Sequence, residues 1–173
     1  MIPICPENLS QAEQDAFWMS YAMDLAQKAE EAGEVPVGAV CVKDNQWVSE
    51  GFNAVIHQND PTAHAEVLAL RAAGQVIKNY RLIDLTLYVT LEPCSMCASA
   101  LVHARVKRLV YGAKDLKTGA VDSVFQLTNS SLLNHKIESV QGVLEDKCSA
   151  QLSLFFKKRR DEKKREKQQL LPK

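Results

Sequence analysis

The chain has 173 residues, of which 46% are hydrophobic and 24% charged, values that are ordinary for a globular protein. This length predicts one domain with a hydrophobic core, and no apolar run is long enough for a membrane-spanning helix. The first residues lack the basic and apolar segments of a signal peptide, and the five cysteines are too sparse for a disulfide scaffold. We therefore expect reduced thiols and a cytoplasmic location without membrane attachment.

A net charge of zero conceals two oppositely charged parts of the chain. Residues 1–156 carry 12 basic and 18 acidic residues, whereas residues 157–173 carry 9 basic and 3 acidic residues. We interpret residues 1–156 as a single domain and residues 157–173 as a basic, helical C-terminal tail. Such a tail indicates a polyanionic partner, although a charge run is also typical of a solvated terminal helix.

The first third of the chain predicts a helix followed by a β-hairpin. Ser10 and Glu13 form a capping-box pattern, apolar residues then recur at helical spacing, and Gly33 can end the helix. The apolar run 37–42 predicts a buried strand, and a returning strand is predicted over 47–53.

The rest of the chain alternates helices with strands. The predicted elements are a helix over 63–74, a strand over 85–90, a helix over 92–104, strands over 106–113 and 137–140, and a helix from residue 145. Residues 120–136 have weak periodicity and are expected to mix loop with short helix. This order predicts an α/β fold, in which helices cover both faces of a mixed or parallel sheet.

Two short motifs carry the chemistry of the sequence. His64-Ala65-Glu66 opens one predicted helix, and Pro93-Cys94-Ser95-Met96-Cys97 opens the next. Two thiolates and one imidazole make an open Zn²⁺ site, whose fourth position is left for water. We expect Glu66 to lie close enough to the site to move protons, and the combination of the two motifs resembles the signature of zinc nucleobase deaminases.

Other interpretations of these motifs are a structural zinc site and a redox-active Cys-x-x-Cys pair. A structural site normally has four protein ligands. The remaining candidates for a fourth ligand are scattered without paired spacing: Cys41, Cys148, His57, His103 and His135. The sequence therefore favours the open, catalytic site.

Asn53 ends the second predicted strand and has two interpretations. An asparagine at a strand end is commonly a turn former through local hydrogen bonds. The alternative is an amide that recognises a ligand at the rim of the sheet.

The sequence resembles the bacterial tRNA-specific adenosine deaminases of the cytidine deaminase-like superfamily. The resemblance runs from about residue 12 to about residue 160. Beyond the two motifs above, it is carried by residues 35–40, 53, 79–82, 86–92, 112–115, 117–119, 134–135 and 155–156.

The resemblance implies a three-layer α/β/α fold with a central mixed five-stranded sheet, and a homodimer. It also implies zinc-dependent hydrolytic deamination of adenosine to inosine at the wobble position of a tRNA anticodon, with the anticodon stem-loop as partner. By position, one zinc ion per chain would be held by His64, Cys94 and Cys97. Glu66 would shuttle protons, and Asn53 would hydrogen-bond the purine with help from the backbone of Ala65.

Contacts with RNA are expected in two further segments. Asp115 and Lys117 lie in a polar loop after a predicted strand, at the edge of the sheet where the motifs meet. Phe156, Arg159 and Arg160 combine an aromatic surface with phosphate-binding charge.

Two other functions remain open at this stage. One is a zinc deaminase of free purine or pyrimidine bases, of the guanine or cytosine type. The other is a non-catalytic RNA-binding protein stabilised by zinc.

Overall fold

The computed structural model describes residues 2–169. Its elements are α1 (Gln11–Glu31), β1 (Gly38–Lys43), β2 (Gln46–Phe52), α2 (Val55–Gln58), α3 (Ala65–Ile77), β3 (Thr86–Leu91), α4 (Ser95–His103), β4 (Arg108–Ala113), β5 (Glu138–Gln141) and α5 (Glu145–Gln169).

The five strands form one mixed sheet in the order β2-β1-β3-β4-β5. β1 pairs with β2 and with β3 in the antiparallel sense, whereas β3–β4 and β4–β5 are parallel pairs. The hairpin turn places Asp44 and Asn45 at φ 50° and 57°, the left-handed conformation of a tight hairpin turn that Asp and Asn tolerate. The predicted mixed five-stranded sheet is confirmed.

Side chains of the central strands alternate between two apolar layers, because successive residues of a strand face opposite sides. On one face, Ala39 and Cys41 of β1 share a cluster with residues of α3 and α4. On the other face, Val40 and Val42 pack with residues of α1 and with Cys148 of α5. The predicted three-layer α/β/α fold is therefore confirmed.

Helix α1 begins and ends where the sequence predicts. The Ser10 hydroxyl accepts a hydrogen bond from the Glu13 amide at 3.4 Å, and the Glu13 carboxylate accepts one from the Ser10 amide at 2.8 Å. Gly33 follows the helix with φ +80°, a conformation that glycine adopts without strain. The Trp18 indole N–H donates to Asn45 Oδ1 at 2.9 Å, so α1 also fixes the hairpin turn.

Several local features differ from the predictions. Helix α3 begins at Ala65 rather than near residue 63, because His64 has extended backbone angles (φ −76°, ψ 151°), and it continues past Gly74 to Ile77. Helix α4 begins at Ser95 rather than at residue 92, since Cys94 is extended. The short helix α2 was not predicted, and the described residues 120–136 contain turns but no helix.

Helix α5 continues through residue 157 into the basic tail without a break. Within it, Cys148 and Phe155 are buried, and the residues after Phe156 are almost all exposed. The tail residues 170–173 lie outside the described part of the chain, and the division at residue 156 stays a prediction. No helix within residues 2–169 combines the length and apolar character needed to cross a membrane.

Candidate metal centre and active site

The N-terminal ends of α3 and α4 meet at a cluster of His64, Cys94 and Cys97. His64 Nδ1 lies 3.7 Å from Cys94 Sγ and 3.5 Å from Cys97 Sγ. Ligands bound tetrahedrally to zinc through one nitrogen and one sulfur are about 3.6 Å apart, given the usual bond lengths. Both the spacing and the soft donor set therefore fit one zinc ion with three protein ligands.

Local backbone conformation brings these donors together. His64 and Cys94 are the N-cap residues of α3 and α4, and both are extended, so their side chains stand in front of the first helical turns. Cys97 lies in the first turn of α4 and is fully buried. The positive ends of the two helix dipoles stabilise thiolates at this point.

The hydrogen bond between Cys94 and Cys97 shifts the pKa values of the two thiols in opposite directions. The hydrogen bond with Cys97 lowers the pKa of Cys94 to about 4, and the same hydrogen bond together with burial raises the pKa of Cys97. The hydrogen bond with Cys94 also raises the pKa of His64. Metal binding requires the deprotonated thiols and the neutral imidazole, so zinc displaces protons from this cluster.

Glu66 lies in the first turn of α3 and is only 4% exposed. Burial raises the pKa of its carboxyl to about 7; Cys94 adds to the shift, and His64 and Cys97 oppose it. These three partners are the residues of the metal cluster, so the carboxyl group stands directly beside it. The proximity that the His-x-Glu motif predicts is thus present.

Asn53 joins the start of α3 to the end of β2. Its side-chain oxygen, Oδ1, accepts a hydrogen bond from the Ala65 backbone amide at 2.9 Å. Its backbone amide donates to Val37 O at 3.0 Å. The contact with Ala65 spans twelve positions, so the side chain does not form a local turn. Because the oxygen faces Ala65, the amino group of Asn53 is left as a donor, and it has no hydrogen-bond partner among the described residues.

The polar loop after β4 lies against the same cluster. Gly119 forms an isolated β-bridge with Cys94, and the Ala120 amide donates to Pro93 O at 2.8 Å. The Asp115 carboxylate accepts hydrogen bonds from Lys117 and Thr118, which fold the loop tip. Asp115 thus shapes the loop, whereas the Lys117 side chain is exposed.

On α5, the neighbouring phenylalanines have different surroundings. Phe155 is 5% exposed and Phe156 is 45% exposed. The Arg159 guanidinium lies 5.7 Å from the centre of the Phe155 ring and 3.5 Å from Gly33 O. These residues border a cavity of about 360 Å³ that also includes Ile56, in the short helix that follows Asn53. Arg160 is exposed.

Within residues 2–169, His64, Cys94 and Cys97 are the one group of histidine, cysteine and acidic side chains close enough to share a metal ion. Cys41 and Cys148 are buried in the two apolar layers, and His135 bonds the backbone of Val106 at 2.7 Å. A fourth protein ligand is therefore not supplied by this part of the chain, which argues against a closed structural zinc site.

Two glutamates are buried near the site although the sequence did not indicate a role for them. Glu34 accepts a hydrogen bond from the His57 amide at 2.8 Å and so holds α2 next to Asn53. Glu92 accepts hydrogen bonds from the loop after β4. No local signal identifies them, because a single glutamate beside a strand usually predicts an exposed position.

The fold and the metal centre define a zinc-binding deaminase domain. Residues 12–113 match the family model described as the cytidine and deoxycytidylate deaminase zinc-binding region. The tRNA-specific adenosine deaminase of Haemophilus influenzae is 55% identical over 157 residues, which cover 90% of this chain and 91% of that protein. The chain therefore belongs to the family of tRNA-specific adenosine deaminases.

Solved structures of deaminases are also similar to this chain. A structure from studies of A-to-I editing by tRNA:A34 deaminases at the wobble position of transfer RNA superposes with a TM-score of 0.76 and 39% identity. The aligned region covers 78% of this chain and 98% of the solved chain. Guanine deaminase from Bacillus subtilis is also similar, with a TM-score of 0.55 and 34% identity over 66% of this chain and 84% of that chain.

Proposed function

We propose that this protein converts adenosine to inosine by hydrolytic deamination at the wobble position of a tRNA anticodon. The observation that carries the proposal is the buried Glu66 carboxyl beside the His64–Cys94–Cys97 cluster. The substrate follows from the named activity of the relatives, of which the one in Haemophilus influenzae aligns over 90% of this chain.

In this proposal His64, Cys94 and Cys97 hold one zinc ion. Zinc, when bound, acts as a Lewis acid that makes a water molecule a competent nucleophile near neutral pH. With three ligands from the chain, a fourth position on the metal would be left for water.

Glu66 moves the protons of the reaction. It takes one proton from the attacking water and gives it to N1 of adenine as the C6–O bond forms. It then carries the second proton of that water to the C6 amino group, which leaves as ammonia when the C6–N bond breaks. The product has a carbonyl oxygen at C6 and hydrogen on N1, which is the base of inosine.

Asn53 orients the purine. Because its oxygen is occupied by the Ala65 amide, its amino group donates toward a ring nitrogen of the base. Ala65 acts through its backbone by fixing that amide, rather than by donating to the substrate itself.

The RNA around the target nucleotide meets the periphery of the site. Lys117 projects from the loop that packs on Cys94, and we propose that Asp115 contributes by holding this loop in shape. Phe156 offers a half-exposed ring, and Arg159 and Arg160 offer charge for the phosphates.

We also propose a homodimer in the cytoplasm. A cavity of about 760 Å³ lies between α3 and α4, and its lining includes Leu70, Tyr80 and Ala100. Tyr80 is 71% exposed and the nearby Val76 is 61% exposed, so a second copy of the chain would cover apolar surface at this face. Light scattering on the purified protein would give the mass: a monomer at micromolar concentration contradicts the dimer.

The decisive experiment compares substrates. The purified zinc-loaded protein is incubated with an anticodon stem-loop that carries adenosine at the wobble position, and separately with free adenosine, guanine and cytosine. We expect inosine in the stem-loop and no product from the free compounds. Turnover of guanine or cytosine without inosine in the stem-loop would establish the free-base deaminase instead. Binding of the stem-loop without turnover of any substrate would establish the RNA-binding protein.

The same stem-loop tests the contribution of α5. Binding should weaken as salt rises, and Arg160→Ala should reduce the salt slope by about one unit, since one phosphate contact is lost. Lys43→Ala is the matched control. Lys43 is the last residue of β1 and follows Val42, which pairs with Thr86 at the start of β3. It therefore lies at the opposite end of the sheet from Cys94, which follows the end of β3. An equal slope in both variants would remove Arg160 from the RNA interface.

A further inference from the structure

Glu92 is a buried carboxylate that no step of the proposed reaction uses. It is 1% exposed and lies between the end of β3 and Pro93, two positions before Cys94. Its carboxylate oxygens accept hydrogen bonds from donors of one loop.

The five donors come from both ends of the loop segment 115–123. Glu92 Oε1 accepts from the amides of Val121 at 3.2 Å, Asp122 at 2.9 Å and Ser123 at 2.9 Å. Glu92 Oε2 accepts from the Asp115 amide at 3.0 Å and from the Ser123 hydroxyl. One side chain therefore gathers the entry and the exit of the loop.

The loop is fitted closely around this carboxylate. Gly119 has no room for a Cβ, which would overlap the Glu92 carboxylate and the Asp115 carbonyl. Gly119 is also the residue that bridges to Cys94. Glu92 and Cys94 thus both contact the loop at Gly119.

The tip of the loop is a preassembled unit. Asp115 Oδ1 accepts from the Lys117 amide at 2.9 Å and from the Thr118 amide at 3.1 Å, so Lys117 keeps a set relation to Asp115. The Asp115 amide joins this unit to Glu92, while the next residues, Gly119 and Ala120, contact Cys94 and Pro93 through their backbones. Without Glu92, the end of the loop that carries Lys117 would lose its hydrogen bond to the start of α4, while the tip would keep its own internal hydrogen bonds.

We propose that Glu92 is a positioning residue that holds the 115–123 loop against the start of α4 so that Lys117 meets the anticodon-loop RNA. The inference rests on the proposed function for its substrate. Charge-assisted hydrogen bonds are about twice as strong as neutral ones, and five of them on one carboxylate make this the dominant attachment of the loop.

The first test is direct and needs no substrate. Hydrogen exchange of the zinc-loaded protein should show faster exchange of the Asp115, Val121, Asp122 and Ser123 amides in Glu92→Ala. Glu92→Gln should give an intermediate result, because it retains one acceptor oxygen for one end of the loop but places an amino group against donors at the other. Unchanged exchange of these amides in Glu92→Ala would overturn the proposal.

The second test measures the effect on the reaction. Glu92→Ala should misplace the charge-assisted contact of Lys117 with the RNA and so raise the KM for the stem-loop about tenfold. The change in kcat should be smaller, and the zinc content should stay near one per chain. Asp15→Asn is the matched control, because it also alters a buried carboxylate. Asp15 accepts hydrogen bonds from Arg108 at the start of β4, whereas the loop follows the other end of that strand. It should leave the KM within about twofold of the wild-type value.

A double-mutant cycle separates positioning from general destabilisation. If Glu92 acts through the loop, Lys117→Ala should raise the KM in the wild-type background and have little further effect in Glu92→Ala. Independent, multiplicative effects, or no effect of Lys117→Ala alone, would overturn the proposal. If the wild type itself makes no inosine in the stem-loop, the proposed function fails and the RNA role of Glu92 fails with it. A wild type that reacts, with a Glu92→Ala variant of unchanged KM, rejects only the role of Glu92.

Discussion

Glu66 and Asn53 are two buried polar residues whose positions at the site are set by the backbone at the start of α3. Glu66 is carried to the metal cluster by its place two residues after His64, at the start of α3. Asn53 is oriented by a single backbone amide of the same helix turn. In the proposed reaction, the start of α3 therefore supplies one metal ligand, the proton carrier and the anchor of the amide that would bind the purine.

At this scale we predict the outcome of Glu66→Gln. The substitution keeps the shape of the side chain but removes the group that carries protons, so deamination of the stem-loop should fall by a factor of about 10² to 10⁴ or more. Zinc measured by elemental analysis should stay near one per chain, because Glu66 is not a ligand in this proposal.

Cys97→Ser is the comparison for that measurement and should lose zinc, since a thiolate ligand is removed. Loss of zinc from Glu66→Gln as well would mean that Glu66 is itself a metal ligand. Full activity of Glu66→Gln would remove it from the mechanism.

At the scale of elements, helix α3 packs closely against the sheet. Gly51 in β2 lies against the backbone of α3, where a Cβ would overlap Ala65 O and Ala69 N. The helix that carries His64 and Glu66 can approach the sheet this closely because the strand has no side chain at that point. The lack of a side chain at Gly51 thus allows the start of α3, with His64 and Glu66, to lie close to the sheet.

We predict opposite effects for two Gly→Ala substitutions. Gly51→Ala should lower the free energy of unfolding by about 1–3 kcal/mol, because the helix backbone must shift away from the sheet. Gly74→Ala, within α3, should be neutral or raise it by about 0.5–1 kcal/mol, since alanine is the better helix former. Its Cβ would meet only Asn79 O, at 3.6 Å.

Chemical denaturation of the zinc-loaded proteins measures both values. If the two variants lose stability equally, the contact between Gly51 and α3 does not control the packing of the helix. A parallel drop in zinc affinity is expected for Gly51→Ala alone.

Across the whole molecule, a buried ion pair ties α1 to the parallel part of the sheet. Both guanidinium amino groups of Arg108, in β4, donate to Asp15, in α1, at 2.7 Å. The Tyr88 hydroxyl, in β3, donates to Asp15 Oδ1 at 2.9 Å. Burial opposes ionisation of Asp15, but the hydrogen bonds from Arg108, Gln11 and Tyr88 outweigh it and lower the pKa of the carboxyl.

This network predicts a pH dependence of stability. Because the pKa of Asp15 is lower in the folded protein, its contribution is present above its unfolded pKa of about 3.9 and is lost as the pH falls through the folded value. At pH 7 Asp15→Asn should cost about 2–3 kcal/mol, since Arg108 is left partly unpaired. The difference from the wild type should narrow below pH 4, as denaturant unfolding at several pH values would measure.

Asp44→Asn provides the control for this series. Asp44 is exposed in the hairpin turn, where asparagine is equally suited, so its replacement should change stability by no more than about 0.5 kcal/mol. A cost for Asp15→Asn that does not vary with pH would show that Asp15 acts through packing rather than through its charge.

The sequence by itself determined the features that depend on neighbours along the chain. The capping box of Ser10 and Glu13, the buried strand over the apolar run 37–42 and the strand that returns beside it each have a local physical cause, and each appears close to where it was predicted. The His-x-Glu and Cys-x-x-Cys motifs also predicted the metal cluster, because both spacings place their side chains at the start of a helix.

Only the tertiary structure decided the contacts between distant polar residues. Glu92 with the 115–123 loop, and Asp15 with Arg108 and Tyr88, join parts of the chain 23 to 93 positions apart. A single buried carboxylate leaves no periodicity or motif in a sequence, and its cost of burial is balanced only by donors that the fold brings to it. The chemistry of the site could therefore be predicted from the chain, whereas the way its loop is held could not.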